Sequence, residues 1–470
     1  MISSLFLVFL ALCCVYVFSG ARHALPLILL IGFSQDMVRK VTPGEPIIFI
    51  VTVGVLFGSI LLGIWARRGF IDSMAPFLSW TDSIREPLLV FVLILIGQLI
   101  YSIARYNNVV VAFIGLTTYL APFLAVIVGY FLANSVESIR TFLKLYVVCG
   151  TVVAVSVVAE FMGVESAVLK EVGKGLVIYD QGTVLRSHAG ILRSGEVAAW
   201  HIAATACLIM TLSVTSTKQR SILIPLVLVA LLILVITLTG RRKMVMLTVL
   251  FLAGYSLALL YYRKTLNARY FFGFMLIGSV FWLGLELLSL DGYSRSLRDY
   301  IARGSSVFGD ATGRFVQLGI NPIQWAFNRV GILGGGLGIA SQGNYLFNVA
   351  KVAGGSGEGG LGKIMVELGL QGLVCVVWLG FALARHVDKS IRLSLRTREE
   401  SRLFPLILSF AVLLFANAVT FSVATQVYGD IFILLLLGLF GGFIFAVPKI
   451  VVSTLTLTVP RQATATPTRA

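Results

Sequence analysis

The stretch LFPLILSFAVLLFANAVTFSVATQ, Leu403 to Gln426, contains no charged side chain, and GDIFILLLLGLFGGFIFAVP, Gly429 to Pro448, follows it with one, Asp430. A helix rises about 1.5 Å per residue, so either run spans a hydrocarbon layer of about 30 Å. Only Val427 and Tyr428 separate them. Two such runs back to back read as a hairpin of membrane-spanning helices, since lipid leaves the backbone no partner but itself.

The pattern recurs outward from this hairpin. Apolar runs fall at about 4–19, 24–34, 47–65, 87–103, 109–133, 141–161, 197–215, 221–239, 243–262, 270–290 and 361–384, which with the first two makes twelve or thirteen spans. The choice turns on whether 4–19 and the short 24–34 are two spans or one span and a re-entrant piece. Charged residues make up 12% of the 470 and apolar ones 58%, whereas a soluble domain carries roughly 25% charged residues. The alternating segments of about ten residues that mark a membrane β-barrel do not occur. The expected fold is an all-α polytopic membrane helix bundle whose large outer loop carries interfacial helices.

The sequence divides into N-terminal membrane helices (1–161), an outer loop (162–196), central membrane helices (197–290), a large outer, periplasmic loop (291–360), C-terminal membrane helices (361–448) and a mostly disordered tail (449–470). The first apolar run lacks a basic stretch before it and reads as a retained anchor. Cys13, Cys14, Cys149, Cys207 and Cys375 all lie in apolar runs, as small buried hydrophobes do. The formal net charge of +16 is carried by loops between spans, which points to lipid headgroups and anionic lipid-linked substrates and away from nucleic acid.

Loop 385–402 holds Arg385, Lys389, Arg392, Arg396, Arg398 and Arg402, and by the positive-inside tendency belongs to the cytoplasm, with the C-terminus. Counting back places 291–360, 240–243 and 162–196 outside. Three basic clusters flank two consecutive spans: Lys218 and Arg220, then Arg241, Arg242 and Lys243, then Arg263, Lys264 and Arg269. Adjacent spans alternate direction, so the middle cluster opposes the other two. Cations held against their preference suggest an anion to bind; the plainer reading is a snorkelling pair at a short turn.

In loop 162–196 the segment LRSHAGILRSGE brings Arg186, His188 and Arg193 to the start of a span. A helix N-terminus attracts anions, so Arg193 there either helps cradle a phosphate or is an ordinary interface residue. In loop 291–360, SRSLRDYIAR sets Arg295, Arg298 and Arg303 at near-helical spacing, and GRFVQLGINPIQWAFNR mixes Arg314 and Arg329 with Phe315, Trp325 and Phe327. Both read as helices lying in the membrane interface. The glycines of GILGGGLGI, Gly331 to Ile339, suit a tight turn or close backbone approach. Glu358 precedes the span beginning near Leu361 and reads equally as a general base or a first-turn acid. Glu367 lies four residues after Lys363, the spacing of an intrahelical pair. His201, inside a span, reads as a packed residue. No metal-ligating or cofactor-binding motif occurs, and neither is expected.

Taken in order, ILRSGEVAAWH with Arg193, TGRRKMVML with Arg241 and Arg242, the long loop with Arg314, Trp325 and Gly334–Gly338, and the closing ELGLQGL resemble the bacterial O-antigen ligase and O-antigen polymerase superfamily over about residues 180–445. The resemblance implies a metal-independent inverting glycosyltransferase on the outer face of the inner membrane. It implies a lipid diphosphate-linked glycan as donor and a glycan or lipid-linked acceptor. The diphosphate would be gripped by Arg193, by Arg241 or Arg242, and by Arg314. Many relatives carry a histidine nine residues before the glutamate of this ending; counting back from Glu367 reaches Glu358 here, which suggests a divergent exopolysaccharide branch. Polymerase and ligase share this donor chemistry, and a chain-length regulator is a further expected partner. The non-enzyme alternative is a polysaccharide transporter or flippase.

Overall fold

The computed structural model describes residues 2–20, 24–72, 82–170, 172, 177–180, 183–215, 223–263, 295–309, 313, 315–341, 344, 347, 349, 359–396 and 400–456. The chain is an all-α bundle. Its helices are α1 (Ile2–Phe18), α2 (Ala24–Val41), α3 (Thr52–Arg68), α4 (Asp82–Tyr106), α5 (Val109–Leu132), α6 (Val136–Phe161), α7 (Gly195–Val214), α8 (Leu223–Leu238), α9 (Arg242–Arg263), α10 (Arg295–Gly309), α11 (Asn321–Val330), α12 (Gly360–Ser394), α13 (Glu400–Val423), α14 (Ile431–Phe445) and α15 (Val447–Thr456). Strands β1 (Val177–Asp180) and β2 (Thr183–Arg186) form one antiparallel hairpin, Val177 opposite Arg186.

Among the described residues eight helices are long and apolar enough to cross a membrane, and α1, α8 and α14 are shorter apolar helices. The expected span 270–290 lies outside the described residues. Apolar side chains such as Leu12 and Val15 of α1, Leu93 of α4, Leu231 of α8 and Phe381 of α12 stay exposed around the bundle, an extent of bare apolar surface that a soluble monomer does not carry.

Residues 4–19 and 24–34 belong to two separate helices, and α2 runs on to Val41 past Asp36, Arg39 and Lys40. The far boundaries also shift. α12 continues through Arg385 and Arg392 to Ser394, so the first part of the basic loop is helical. The apolar run 429–448 ends as α14, and the start of the expected disordered tail is α15; residues 457–470 lie outside the described set.

At the centre stands α7, whose alanines (Ala198, Ala199, Ala203, Ala204, Ala206) let its neighbours approach on all sides. Its Trp200 donates to Asn417 at 2.8 Å. His201 is packed as expected: its Nδ1 lies 2.8 Å from the Tyr146 hydroxyl and its ring sits between Phe33 and Phe432. Helices α5 and α14 cross closely because Gly438 and Gly442, four apart, face Pro122 and Val126, where a Cβ would strike the backbone carbonyls. Gly442→Val is therefore expected to cost about 1–3 kcal/mol by overpacking, read as a lowered unfolding midpoint in detergent.

Chain direction sorts the helix ends into two sets. Arg67, at the end of α3, donates to the Phe18 carbonyl at the end of α1, and Lys449 of α15 reaches the Tyr130 carbonyl near the end of α5 at 3.2 Å. The opposite end gathers the starts of α5, α7, α9, α12 and α14, the ends of α2, α6, α8 and α13, the hairpin, α10 and α11.

Candidate functional site

At this second end the chain from Ser187 to Ser194 is tied down by side chains remote in sequence. Glu160, in the last turn of α6, accepts from the amides of Ala189 and Gly190 at 2.9 and 2.6 Å. Ser156 accepts from Ile191 N at 3.0 Å, and Asp36 of α2 accepts from Arg193 N at 3.1 Å. Lys40 donates to the Gly190 carbonyl at 2.6 Å, and Ser187 to the Thr239 carbonyl at 3.0 Å. An irregular buried segment must have its amides and carbonyls met, and here side chains of α2 and α6 meet them, while Ser187 ties the segment to the end of α8.

Arg193 follows this segment. Its guanidinium pairs with Asp430 at 2.8 Å, the two side chains 13% and 2% exposed. Asp430 also caps α14, accepting from Ile433 N at 3.0 Å. This places Arg193 at the start of α7, as expected, but a buried carboxylate already holds it. Arg241 pairs with Glu196 at 2.8 Å, both partly exposed. Arg242 donates to Ser306 of α10 at 2.9 Å, and Lys243 to the Val423 carbonyl at 2.9 Å. The side chain of Arg303, also on α10, reaches the Gly240 carbonyl at 3.0 Å. Arg193, Arg241 and Arg242 therefore share one end of the bundle.

Helix α10 packs on α8, α9 and the hairpin. Its Tyr300 joins Ile178 and Leu185 in a small apolar cluster and donates to the Arg186 carbonyl at 2.5 Å. Burial pushes this phenol above its ordinary range, which keeps it a neutral donor. The Tyr300 oxygen lies 3.3 Å from His188 Nε2, and His188 Nδ1 lies 3.4 Å from Glu160. The side chain of Arg186 is exposed while His188 is buried. The expected interfacial helix is thus a cover docked on the bundle; α11 likewise packs on α12 through Ala326, leaving Phe327 exposed.

The glycine-rich segment 331–341 makes the close approach its composition suggests. Gly338 has φ +85°, and a Cβ there would strike the Val111 carbonyl at the start of α5. The segment inserts where α12 is broken: Gly369 has φ +72° and divides α12 into a first stretch, Gly360–Leu368, and the remainder. Gly335 N donates to the Val366 carbonyl at 2.7 Å and Leu370 N to the Ile332 carbonyl at 2.8 Å, across the break. Glu367 is fully buried and accepts from the Tyr119 hydroxyl at 2.8 Å and from Ala340 N at 3.1 Å. This corrects the expected Lys363–Glu367 pair: the glutamate fastens the inserted segment, and the Lys363 ammonium stands over the Tyr119 ring, 5.9 Å from its centre.

The candidate residues Glu358 and Arg314 lie outside the described residues. Among the described ones, sequence reading missed the carboxylates Asp36, Glu160, Glu196 and Asp430 and the covering Tyr300. An acid inside or at the rim of an apolar run is a signal that could have found the first, second and fourth. No protein-family model matches the chain, and no curated protein matches it.

Proposed function

We propose that this chain is a membrane-embedded inverting glycosyltransferase that polymerises lipid diphosphate-linked oligosaccharide units into exopolysaccharide or O-antigen at the outer face of a bacterial inner membrane. The observation that carries this reading is the gathering of Arg186, Arg193, Arg241 and Arg242 at one end of a membrane bundle, where a cover helix bearing Arg303 docks. The opposite end, where Arg385, Lys389, Arg392 and Arg396 crowd the close of α12, is assigned in this reading to the cytoplasmic side.

In this reading Arg241 and Arg242, both only partly buried, meet the donor diphosphate. Arg193, held by Asp430, sets the local field and the shape of the rim. The acceptor hydroxyl oxygen attacks the anomeric carbon, and the bond from that carbon to the diphosphate oxygen breaks. The diphosphate leaves with the electron pair, stabilised by the arginines. The acceptor proton passes to Glu358. A ligase would run the same donor step onto a lipid A core or another acceptor.

A transporter or flippase is the second reading, favoured by the interrupted α12, since discontinuous helices line the sites of many transporters. Purified protein supplied with donor lipid and acceptor separates the two: glycosidic product without any partner protein supports the transferase, and donor crossing the bilayer without product supports the flippase. Arg242→Lys is expected to lower transfer about tenfold, mostly through KM, because a point charge replaces a two-pronged phosphate grip. Full activity of that variant would take Arg242 out of the donor site.

A further inference from the structure

The cover helix α10 meets the bundle over an enclosed cluster that the transfer step above does not use. His188 stands at its centre, between Glu160 of α6 and Tyr300 of α10; the side chains of His188 and Glu160 are 9% and 6% exposed. Glu160 Oε2 takes the amides of Ala189 and Gly190. Glu160 Oε1 and His188 Nδ1 are enclosed, 3.4 Å apart, and among the described residues neither makes a hydrogen bond. Across the ring, His188 Nε2 lies 3.3 Å from the Tyr300 oxygen, whose proton goes to the nearer Arg186 carbonyl at 2.5 Å. Phe161 closes the edge of the ring, 5.5 Å between centres.

Counting donors fixes the charge on this imidazole. Carboxylate and carbonyl oxygens only accept, and a phenol has one proton to give. The Tyr300 oxygen therefore faces Nε2 with lone pairs, as Glu160 Oε1 faces Nδ1. A neutral imidazole has one N–H. With it on Nδ1, a nitrogen lone pair opposes the Tyr300 oxygen; with it on Nε2, a lone pair opposes the carboxylate. Turning the Tyr300 proton to Nε2 leaves the Arg186 carbonyl unmet instead. Each of these leaves an enclosed group unsatisfied, which is costly. The imidazolium, a donor at both nitrogens, leaves none. Burial opposes its charge, but the enclosed carboxylate needs a cation as much as the imidazolium needs an anion. The other charges nearby have their own places. Arg186 is exposed beside Tyr300, where solvent screens it. Arg303 of α10 reaches the Gly240 carbonyl, and Arg241 pairs with Glu196. From α2, Lys40 meets the Gly190 carbonyl and Asp36 the Arg193 amide.

We propose that His188 is a protonated pin between the bundle and its cover: as imidazolium, joined to Glu160 on one side and Tyr300 on the other, it holds α10 docked, and loss of its proton loosens the cover. With α10 away, water meets Nε2 in either form. The docked arrangement therefore binds the proton more tightly than the open one, and docking weakens as pH rises. Histidine is the side chain whose ordinary titration falls between about pH 5 and 8. The pin itself does not depend on the glycosyltransferase reading. Its consequence does: Arg242 donates to Ser306 of α10, so a loosened cover releases one contact of a guanidinium assigned to the donor diphosphate.

The test uses the full-length protein in lipid nanodiscs. Labelling its four histidines with 15N reports the protonation of each imidazole, and the signal lost in His188→Gln identifies the one concerned. Both nitrogens of His188 are expected to carry protons at pH 6. Hydrogen exchange in α10, referred to that in α7 at the same pH, is expected to rise roughly tenfold between about pH 6 and 8; one linked proton allows at most about tenfold per pH unit. Tyr300→Phe keeps the ring against Ile178 and Leu185 but removes the acceptor from Nε2. Its cover should exchange fast at both pH values, with the pH dependence gone. Should His188→Gln fail to fold, exchange in the wild type and Tyr300→Phe still decides. A neutral His188 at pH 6, or the same pH response in the wild type and Tyr300→Phe, overturns the proposal. In a transfer assay the wild-type KM for donor lipid should fall several-fold over the same interval, and that of Tyr300→Phe should be low throughout. A pH-dependent cover on a protein without transfer activity keeps the pin and sinks the glycosyltransferase; transfer with α10 exchange independent of pH does the reverse.

Discussion

Asp430→Ala is expected to destabilise the protein by about 3–5 kcal/mol, the loss that follows when one partner of a buried ion pair is removed. The effect has two parts. Arg193, 13% exposed, would keep its charge without its partner at 2.8 Å. Helix α14 would lose its cap, leaving Ile433 N without the acceptor it now has at 3.0 Å, a contribution of about 1 kcal/mol. Removing the arginine as well, in Asp430→Ala with Arg193→Met, is expected to restore most of the loss, leaving roughly the cap contribution. Equilibrium unfolding of the four proteins in one detergent gives the coupling directly. A double variant no more stable than Asp430→Ala would mean that Arg193 has other necessary partners at this end.

Glu367→Ala is expected to cost about 2–6 kcal/mol. Its carboxylate receives two donors, the Tyr119 hydroxyl and the Ala340 amide, and each buried group left unmet costs about 1–3 kcal/mol. The loss would be local at first: the segment 331–341 would come away from α5 and α12 before the bundle unfolds. Hydrogen exchange at Ala340 and its neighbours should therefore rise further than exchange in α7. Glu367→Gln keeps one acceptor and can still serve the Tyr119 hydroxyl or the amide, so it should lose less than half as much. Equal losses for the two variants would show that the negative charge, set against Lys363, matters more than the hydrogen bonds.

Hydropathy alone made the bundle legible, because each long apolar run has few ways to satisfy its backbone in lipid. It misjudged α2, whose second half carries Asp36, Arg39 and Lys40. Arg39 donates to the nearby Glu45 carbonyl, but Asp36 and Lys40 are met about 150 residues away, by Arg193 N and the Gly190 carbonyl, and no local pattern announces those partners. The common end of Arg193, Arg241 and Arg242 followed from counting spans. The carboxylates that hold Arg193 and Arg241 did not, since Asp430 and Glu196 look like ordinary helix-starting acids until the helices are assembled. For Lys363 and Glu367 the spacing pointed to a mutual pair, and the inserted glycine segment took the glutamate instead.

The break in α12 has a mechanical consequence. Where the helical ladder is interrupted at Gly369, the amide and carbonyl that lose their helical mates are spliced through Ile332 and Gly335 of another part of the chain. A continuous rod passes a twist from one end to the other; a spliced one passes it only while the splice holds. The nine residues that carry Lys363 are thus joined to the remaining length of α12 by one glycine's backbone and by the glycine segment that bridges the joint, and a change in that segment would alter how the two parts of α12 are coupled.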